Sequence, residues 1–163
     1  PDATAAAKIP DGDRFWHRMG DAGYLDDRGR FWFCGRVAHR VQTEHGTLYT
    51  DPVEGIFNQH DLVARSALVG IGPTGRQLPV VIIEEVPAFC DPAMDWPSEL
   101  NEIAAGNLIT RGIRLFLLHG SFPVDIRHNS KIFREKLAVW AAKKLKSQIP
   151  DFKSEISNSK SQK

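Results

Sequence analysis

The sequence predicts a small α+β domain preceded by a β-hairpin-like segment, and three observations support this prediction. Strand-like and helix-like segments are mixed between residues 37 and 149, without an internal repeat. The apolar runs at 64–72 and 78–86 have the length and β-branched composition of buried strands. The aromatic-rich segment before residue 37 is too short to bury a core alone. Mixed elements within about 110 residues are typical of a domain in which helices pack on a short sheet.

The segment up to residue 36 is predicted to be a loop followed by two strands. Residues 1–13 are rich in Ala, Pro, Asp and Gly, which favours a loop. Residues 14–18 and 30–36 are rich in aromatic residues and have strand composition. Between them, residues 26–29 read Asp-Asp-Arg-Gly, which is typical of a turn. We therefore expect the two strands and the turn to form a hairpin-like unit.

The first elements after residue 36 are predicted to be short. The segments HRVQT and TLYT can pair as strands around a turn at 44–46. A helix is expected to begin at Asp51, with Asp51 as its cap and Pro52 in the first helical position. Glu54 would complete a capping box, and Val53 and Phe57, with Ile56, would form the apolar face of this helix.

The remaining elements follow from apolar periodicity. The two long strands are expected to join at a turn over 73–75, and RLFLL predicts a further buried strand. A helix is predicted from about residue 97, with apolar positions at Leu100, Ile103, Ala104 and Leu108. A last helix is expected from residue 131 or 134 to 147, with Leu137, Trp140, Ala141 and Leu145 on one face. Residues 150–163 are rich in Ser, Lys, Asn and Gln, and we expect them to be disordered.

Composition argues against several classes of protein. No apolar run approaches the ~18 residues that a membrane helix needs. Residues 127–163 carry ten Lys/Arg against three Asp/Glu, but aromatic residues do not alternate with them as in a nucleic-acid platform, so we expect no nucleic-acid partner. The six histidines lack metal-ligand spacing, and the two cysteines are expected to be reduced thiols in a cytoplasmic protein. Because the chain begins with Pro1, we expect it to be part of a longer protein.

Two candidate binding residues lie at the ends of predicted strands. Asp21 follows a strand in a Met19-Gly20 corner, where a carboxylate can accept hydrogen bonds from the vicinal hydroxyls of a ribose. The alternative is a turn residue that binds its own backbone. Arg36 follows Gly35 at the end of an aromatic strand, where its planar guanidinium can reach a phosphate. The alternative is an ordinary surface arginine.

The third candidate is Lys131, in a polar loop that is expected to lie just before the last helix. A lysine there can neutralise a phosphate as a point charge, helped by the helix N-terminus. The same loop carries Asp125, Arg127, His128 and Asn129, a polar density typical of a site. A solvated loop is the alternative interpretation.

The order of these features resembles the adenylate-forming superfamily, which includes acyl-CoA synthetases, peptide-synthetase adenylation domains and luciferases. The resemblance covers about residues 14–147 and rests on the following segments: His17-Arg18-Met19-Gly20-Asp21, Gly23-Tyr24-Leu25, Gly35-Arg36, Pro52-Val53-Glu54 and Asn129-Ser130-Lys131-Ile132. It implies ATP with Mg²⁺ as cosubstrate. Asp21 would hold the ribose hydroxyls, Arg36 would lie near the ribose or phosphate, and Lys131 would reach the α-phosphate and the substrate carboxylate.

The resemblance also implies a domain division. Residues 1–36 would end the large N-terminal domain, and 37–149 would form the C-terminal lid that rotates between half-reactions. Residues 150–163 would be a polar tail. The nucleotide and a fatty-acid-like substrate would bind chiefly through the large domain, which precedes this chain.

Departures from the family pattern point to one branch. Ala38 stands at the hinge position, where the family usually has Asp or Lys, and Ser130 replaces the Gly before Lys131. The loop at 45–50 has no Lys or Arg. The sequence most resembles the β-lactone synthetases of bacterial long-chain olefin biosynthesis. That resemblance implies adenylation of a long-chain 3-hydroxy acid, whose own hydroxyl then closes the lactone without CoA.

Two other functions remain open at this point. One is the lid of a fatty acyl-CoA or acyl-AMP ligase. The other is a free-standing α+β module that binds an anion or a protein through the Lys131 loop. The hairpin around Asp21 argues against the second, because a free module has little use for part of another domain.

Overall fold

Three α-helices and eleven β-strands make up the part of the chain that the structure describes. The structure, a computed structural model, describes residues 7–61, 63–85 and 95–148, without the side chains of 128–130. The helices are α1 (Thr50–Phe57), α2 (Trp96–Ala105) and α3 (Arg134–Gln148). The α+β prediction is confirmed. The tail expected to be disordered, 150–163, lies outside the described residues.

The segment before residue 37 contains two hairpins. Strands β1 (Lys8–Asp11) and β2 (Arg14–His17) pair antiparallel. The prediction of a loop over 1–13 is therefore wrong for the residues of β1. Gly12, with a φ of 56°, reverses the chain in a conformation that suits glycine. The two-residue loop between the strands, Gly12-Asp13, is a hairpin signal that could have revealed β1.

The second hairpin joins β3 (Asp21–Leu25) to β4 (Phe31–Arg36). The turn predicted at 26–29 is confirmed, but the partner of β4 is β3 and not the 14–18 segment. The carboxylate of Asp26 accepts hydrogen bonds from the Trp32 indole at 2.9 Å and the Arg30 Nε at 2.7 Å. These bonds, the Trp32 bond foremost, lower the pKa of Asp26 to about 2. Asp26 therefore organises the turn.

Strands β5 (Val41–Thr43) and β6 (Gly46–Leu48) form the predicted hairpin, and α1 follows. The helix begins at Thr50, one residue earlier than predicted, and no side chain caps it. The predicted capping role of Asp51 and Glu54 is wrong, because the Glu54 carboxylate points to other partners. Thr50 is buried and packs so closely on Gly35 that a β-carbon at Gly35 would collide with the Thr50 hydroxyl.

The central sheet has the order β7-β8-β9. Strands β7 (Val63–Ile71) and β8 (Leu78–Glu85) are antiparallel, as the two apolar runs predicted, and β9 (Leu115–His119) lies parallel to β8. Strands β10 (Val124–Asp125) and β11 (His128–Ile132) form a last hairpin before α3.

The sheet is buried on both faces, which explains its nearly continuous apolar strands. One face carries Val80 and Ile82 and packs on α3 through Leu137, Ala141 and Leu145. The opposite face carries Val81 and Ile83 and packs on α1 and α2. Alternate residues of β8 therefore supply two separate cores, and the sheet forms the middle of three layers.

Helix α2 ends earlier than its apolar spacing predicts. Leu100 and Ala104 are buried, but Leu108 lies past the end of the helix and is 78% exposed. The chain turns after Gly106, and the Thr110 hydroxyl donates a 2.9 Å hydrogen bond to the Ala104 carbonyl. This bond satisfies a carbonyl at the end of the helix, so the periodic pattern does not continue.

Helix α1 covers the edge of the sheet formed by β7. Leu68 N donates to Glu54 Oε1 at 2.8 Å, and Ser66 N donates to Asn58 Oδ1 at 2.7 Å. Glu54 and Asn58 are four residues apart, on one side of the helix, while Ser66 and Leu68 are two apart on the strand. A spacing of four residues on the helix therefore matches a spacing of two residues on the strand. Each of the two outward-facing amides of β7 thus donates to a side chain of α1.

Glu54 should make the stability of the chain depend on pH. Burial raises the pKa of Glu54 from 4.5 to about 7, although Arg134 acts in the opposite direction. Between these values the folded chain keeps a proton that the unfolded chain releases. The free energy of unfolding should therefore fall by up to about 3 kcal/mol as the pH rises through this window.

Urea unfolding of the 163-residue chain at pH 5, 6, 7 and 8 would measure this effect. Glu54→Gln is the matched variant, because it keeps the shape and cannot titrate. We expect the difference between wild type and variant to change over this range. A constant difference would contradict the assigned titration.

Candidate functional site

Asp21 and Arg36 face each other where β3 begins and β4 ends. Asp21 Oδ1 lies 3.0 Å from Arg36 Nη1, which also donates to the Met19 carbonyl. Gly20 has a φ of 74°, and its carbonyl accepts a 2.8 Å hydrogen bond from Val37 N. This bond joins the start of β3 to the residue after β4. The structure thus joins two residues that the sequence analysis treated separately.

This corner can hold a ligand that carries hydroxyls and negative charge. The Arg36 and Asp21 side chains are 51% and 33% exposed, so a ligand can reach both. A carboxylate accepts several hydrogen bonds, and a guanidinium has five N–H donors. The ion pair fixes the orientation of both side chains, and each keeps further hydrogen-bonding groups for a ligand.

Ala38 lies directly after this corner, on a single turn of 3₁₀ helix at Val37–His39. Its side chain is exposed and has no polar atom. An Asp or Lys here could form an ion pair with another part of the protein, and alanine cannot.

Lys131 lies in strand β11, and the predicted loop is a β-hairpin. The carboxylate of Asp125 accepts a 3.0 Å bond from Arg127 N at the turn, and Phe133 N donates to the Pro123 carbonyl at 2.8 Å. Part of the polar density in this segment is therefore turn chemistry. Helix α3 begins at Arg134, the later of the two predicted starts, so two residues separate Lys131 from the helix. The Lys131 side chain is exposed.

His39 shows that Arg36 and Lys131 belong to one region. Burial lowers the pKa of His39, and the nearby charges of Arg134, Arg36 and Lys131 lower it further, while Glu135 opposes them. The β10–β11 hairpin and the corner before the 3₁₀ turn therefore share an electrostatic environment. His39 was not among the predicted site residues, although it follows Ala38 at the proposed hinge.

A groove of about 860 Å³ lies against the β5–β6 hairpin. It contains none of the predicted site residues. Its lining comes from that hairpin, the β7–β8 turn and the loop after α2: Thr43–Leu48, Pro73, Arg76–Pro79, Leu108, Ile109 and Arg111–Ile113.

Within residues 7–61, 63–85 and 95–148, no cluster of His, Cys, Asp and Glu could hold a metal ion. None of the helices in those ranges has the length and apolarity that crossing a membrane requires.

Curated relatives match most of the chain, whereas no family model does. The olefin beta-lactone synthetase of Xanthomonas campestris pv. campestris is 53% identical over 146 residues, 86% of this chain. The protein of the same name from Stenotrophomonas maltophilia is 52% identical over 151 residues, 89% of the chain. A 4-chlorobenzoate–CoA ligase of Arthrobacter sp. is 38% identical over 56% of the chain. The chain spans about a quarter of the two synthetases, 26% and 27%.

Solved structures share the fold. The amide bond synthetase McbA of Marinactinospora thermotolerans has a TM-score of 0.66 at 24% identity, over 86% of this chain and 27% of its own. The O-succinylbenzoate coenzyme A synthetase of Bacillus subtilis, in complex with AMP, has a TM-score of 0.65 at 23% identity, over 83% of this chain and 26% of its own. The solved structures show the fold alone, and the sequence relatives show that this chain belongs to the adenylate-forming superfamily, as the C-terminal portion of its members.

Proposed function

We propose that the chain is the C-terminal part of an ATP-dependent, AMP-forming ligase that converts a long-chain 3-hydroxy acid into a β-lactone. The observation that carries the proposal is the 52–53% identity to two olefin beta-lactone synthetases over 86–89% of the chain. The CoA ligase of Arthrobacter sp. reaches only 38% over 56%. We call the longer protein that contains this chain the full-length enzyme.

In the first half-reaction, the carboxylate of the acid attacks the α-phosphate of ATP, and pyrophosphate leaves. Asp21 would accept hydrogen bonds from the ribose hydroxyls, and Arg36 would contact the ribose or a phosphate. Lys131 would stabilise the charge that develops on the α-phosphate. The exposed Asp21–Arg36 corner and its shared environment with Lys131 support these roles. Mg²⁺ would arrive with the phosphates of ATP.

We also propose that residues 1–36 end the large domain and that 37–149 form the lid. The hairpins before residue 37 expose large aromatic side chains, whereas the central sheet has a closed core on each face. Exposed aromatic patches of this kind are typical of a surface that another domain covers. Six aromatic residues are 47–66% exposed: Phe15, Trp16, Tyr24, Phe31, Trp32 and Phe33.

In the second half-reaction, the 3-hydroxyl of the bound acyl-adenylate would attack its own acyl carbon. The hydroxyl loses its proton, the C–O bond of the lactone forms, and AMP leaves with the electron pair of the broken acyl–phosphate bond. A nucleophile in the same molecule needs no second substrate channel. The β5–β6 turn supports a reaction without CoA, because it has no Lys or Arg to bind that anionic substrate. The neighbouring Arg76 forms an ion pair with Glu44 at 3.4 Å.

The test compares two acids of equal length, with and without the 3-hydroxyl, in the presence of the full-length enzyme, ATP and Mg²⁺. We expect AMP release and a lactone from the hydroxy acid whether or not CoA is present, and no lactone from the other acid. A thioester that forms only with CoA would instead support a fatty acyl-CoA ligase. The 163-residue chain is the negative control, and pyrophosphate release by it alone would contradict the need for a preceding domain.

A further inference from the structure

Glu54 and Arg134 form an ion pair between α1 and α3. Arg134 Nη2 lies 2.8 Å from Glu54 Oε2, and the two side chains are only 16% and 10% exposed. The second carboxylate oxygen of Glu54 accepts the 2.8 Å bond from Leu68 N. One carboxylate therefore fixes a helix, a strand and the first residue of another helix relative to each other.

This pair lies at the base of the hairpin that carries Lys131. Arg134 is three residues beyond Lys131, and the intervening Phe133 is fastened by its N–H to the Pro123 carbonyl. Only two residues separate Lys131 from Arg134, and hydrogen bonds fix both Phe133 and Arg134. A shift of Arg134 would therefore be passed on to Lys131.

The same helix also touches the segment that carries Arg36. Thr50, the first residue of α1, packs on Gly35 without room for a β-carbon. Helix α1 thus contacts the strand end before the 3₁₀ turn at one end and holds Arg134 through Glu54 four residues later. It is the physical connection between the Asp21–Arg36 corner and the Lys131 hairpin.

The pair is poorly explained by stability alone. Arg134 places a cation at the start of α3, where the helix dipole favours an anion. Its second nitrogen, Nη1, is buried and makes no hydrogen bond to any residue that the structure describes. A buried ion pair is often replaced by apolar residues without loss of stability. Its place at the base of the Lys131 hairpin fits a positioning role.

We propose that Glu54 and Arg134 are positioning residues, which set Lys131 at a fixed distance from the Asp21–Arg36 corner for the adenylation step. This inference rests on the proposed function for its chemistry but not for its geometry. Neither residue is expected to touch the substrate.

The first experiment is a double-mutant cycle in the full-length enzyme, measured by ATP–pyrophosphate exchange at pH 8, because Glu54, whose pKa is about 7, is ionised there. The temperature is one at which every variant is folded by circular dichroism. Glu54→Gln should lower kcat at least tenfold and leave the KM for ATP within about twofold. In a Lys131→Ala background, the same change should lower kcat by no more than about twofold, because both act through one lysine. Equal losses in the two backgrounds would overturn the proposal, and so would a changed KM with normal kcat.

Two further variants separate positioning from stability. Thr110→Val removes a buried hydrogen bond elsewhere in the lid and should leave kcat unchanged. Arg134→Lys keeps the charge and should recover part of the activity that Arg134→Met loses. If Arg134→Lys and Arg134→Met were equally active, the charge of the pair would have no role.

The second experiment uses the 163-residue chain and needs no activity. His39 reports on Lys131, because Arg134, Arg36, Lys131 and Glu135 are the charges that act on its imidazole. NMR titration should show that Lys131→Ala raises the pKa of His39, and that this increase shrinks in the Glu54→Gln chain, where the hairpin is released. An equal increase in both chains would overturn the inference. If the full-length enzyme formed no adenylate, the proposed function would fail, and this titration would still decide whether the pair positions Lys131.

Discussion

Replacing Lys131 with alanine is expected to slow formation of the acyl-adenylate by roughly 10²-fold or more in the full-length enzyme. The lysine would meet the α-phosphate mainly when its charge grows in the transition state. ATP binding should therefore change little, and the loss should be in kcat. The exposed position of Lys131 on β11 means that its removal leaves no cavity and should not disturb the fold.

The measurement is single-turnover adenylate formation with saturating ATP and acid. Lys143→Ala is the matched control, because Lys143 is an exposed lysine on α3 and has no assigned role. Loss of a surface charge alone would affect both variants equally. Adenylate formation at the normal rate by Lys131→Ala would show that the assigned role is wrong.

Replacing Asp21 with alanine is expected to raise the ATP concentration needed for half-maximal rate at least tenfold. A hydrogen bond to a charged group contributes about 1.5 to 3 kcal/mol, and the proposal assigns two such bonds to the ribose hydroxyls. The change also removes the partner that lies 3.0 Å from Arg36, so the orientation of the guanidinium is lost as well. The ATP requirement of Asp21→Asn should lie between those of the wild type and Asp21→Ala, since an amide oxygen can still accept one bond.

Asp27→Ala is the control for Asp21. Asp27 is an exposed acid in the turn of the same hairpin, so its removal changes the net charge equally. We expect a normal ATP requirement for this variant. If Asp21→Ala lowered the melting temperature but left the ATP dependence unchanged, Asp21 would be a structural turn residue only.

The elements of the central sheet could be predicted from the sequence because burial on both faces produces long apolar runs. The 64–72 and 78–86 segments lie within one residue of the observed β7 and β8. The spacing of Leu137, Ala141 and Leu145 likewise revealed α3, since that helix contributes a single apolar face. The local sequence pattern is enough to predict an element when burial determines which of its residues are apolar.

The hairpins before residue 37 were harder to predict, because both faces of their strands carry aromatic residues. Phe15 and Trp16 have opposite orientations on β2, yet both are exposed, so no alternation marks an inner face. Strand β3 was missed for a related reason. Its residues Asp21–Leu25 include glycine and alanine, which are uncommon in strands. Composition also favoured the aromatic-rich 14–18 segment as the partner of β4.

The candidate site was only partly visible in the sequence. Asp21, Arg36 and Lys131 each had a recognisable local setting, but their proximity depends on tertiary contacts that no local pattern encodes. Glu54 shows the limit most clearly. Its spacing suggested a capping box, whereas the folded chain directs the carboxylate to Leu68 and to Arg134, 80 residues further along.

The acceptors that α1 supplies to β7 have a consequence for the association of this chain with other molecules. A bare strand edge invites pairing with a strand of another molecule, and such pairing seeds aggregation. Because Glu54 and Asn58 bind the amides of Leu68 and Ser66, this stretch of the edge has no N–H donors to offer a second chain. A lid that rotates between half-reactions, as proposed for this chain, would therefore not become prone to strand pairing at that edge.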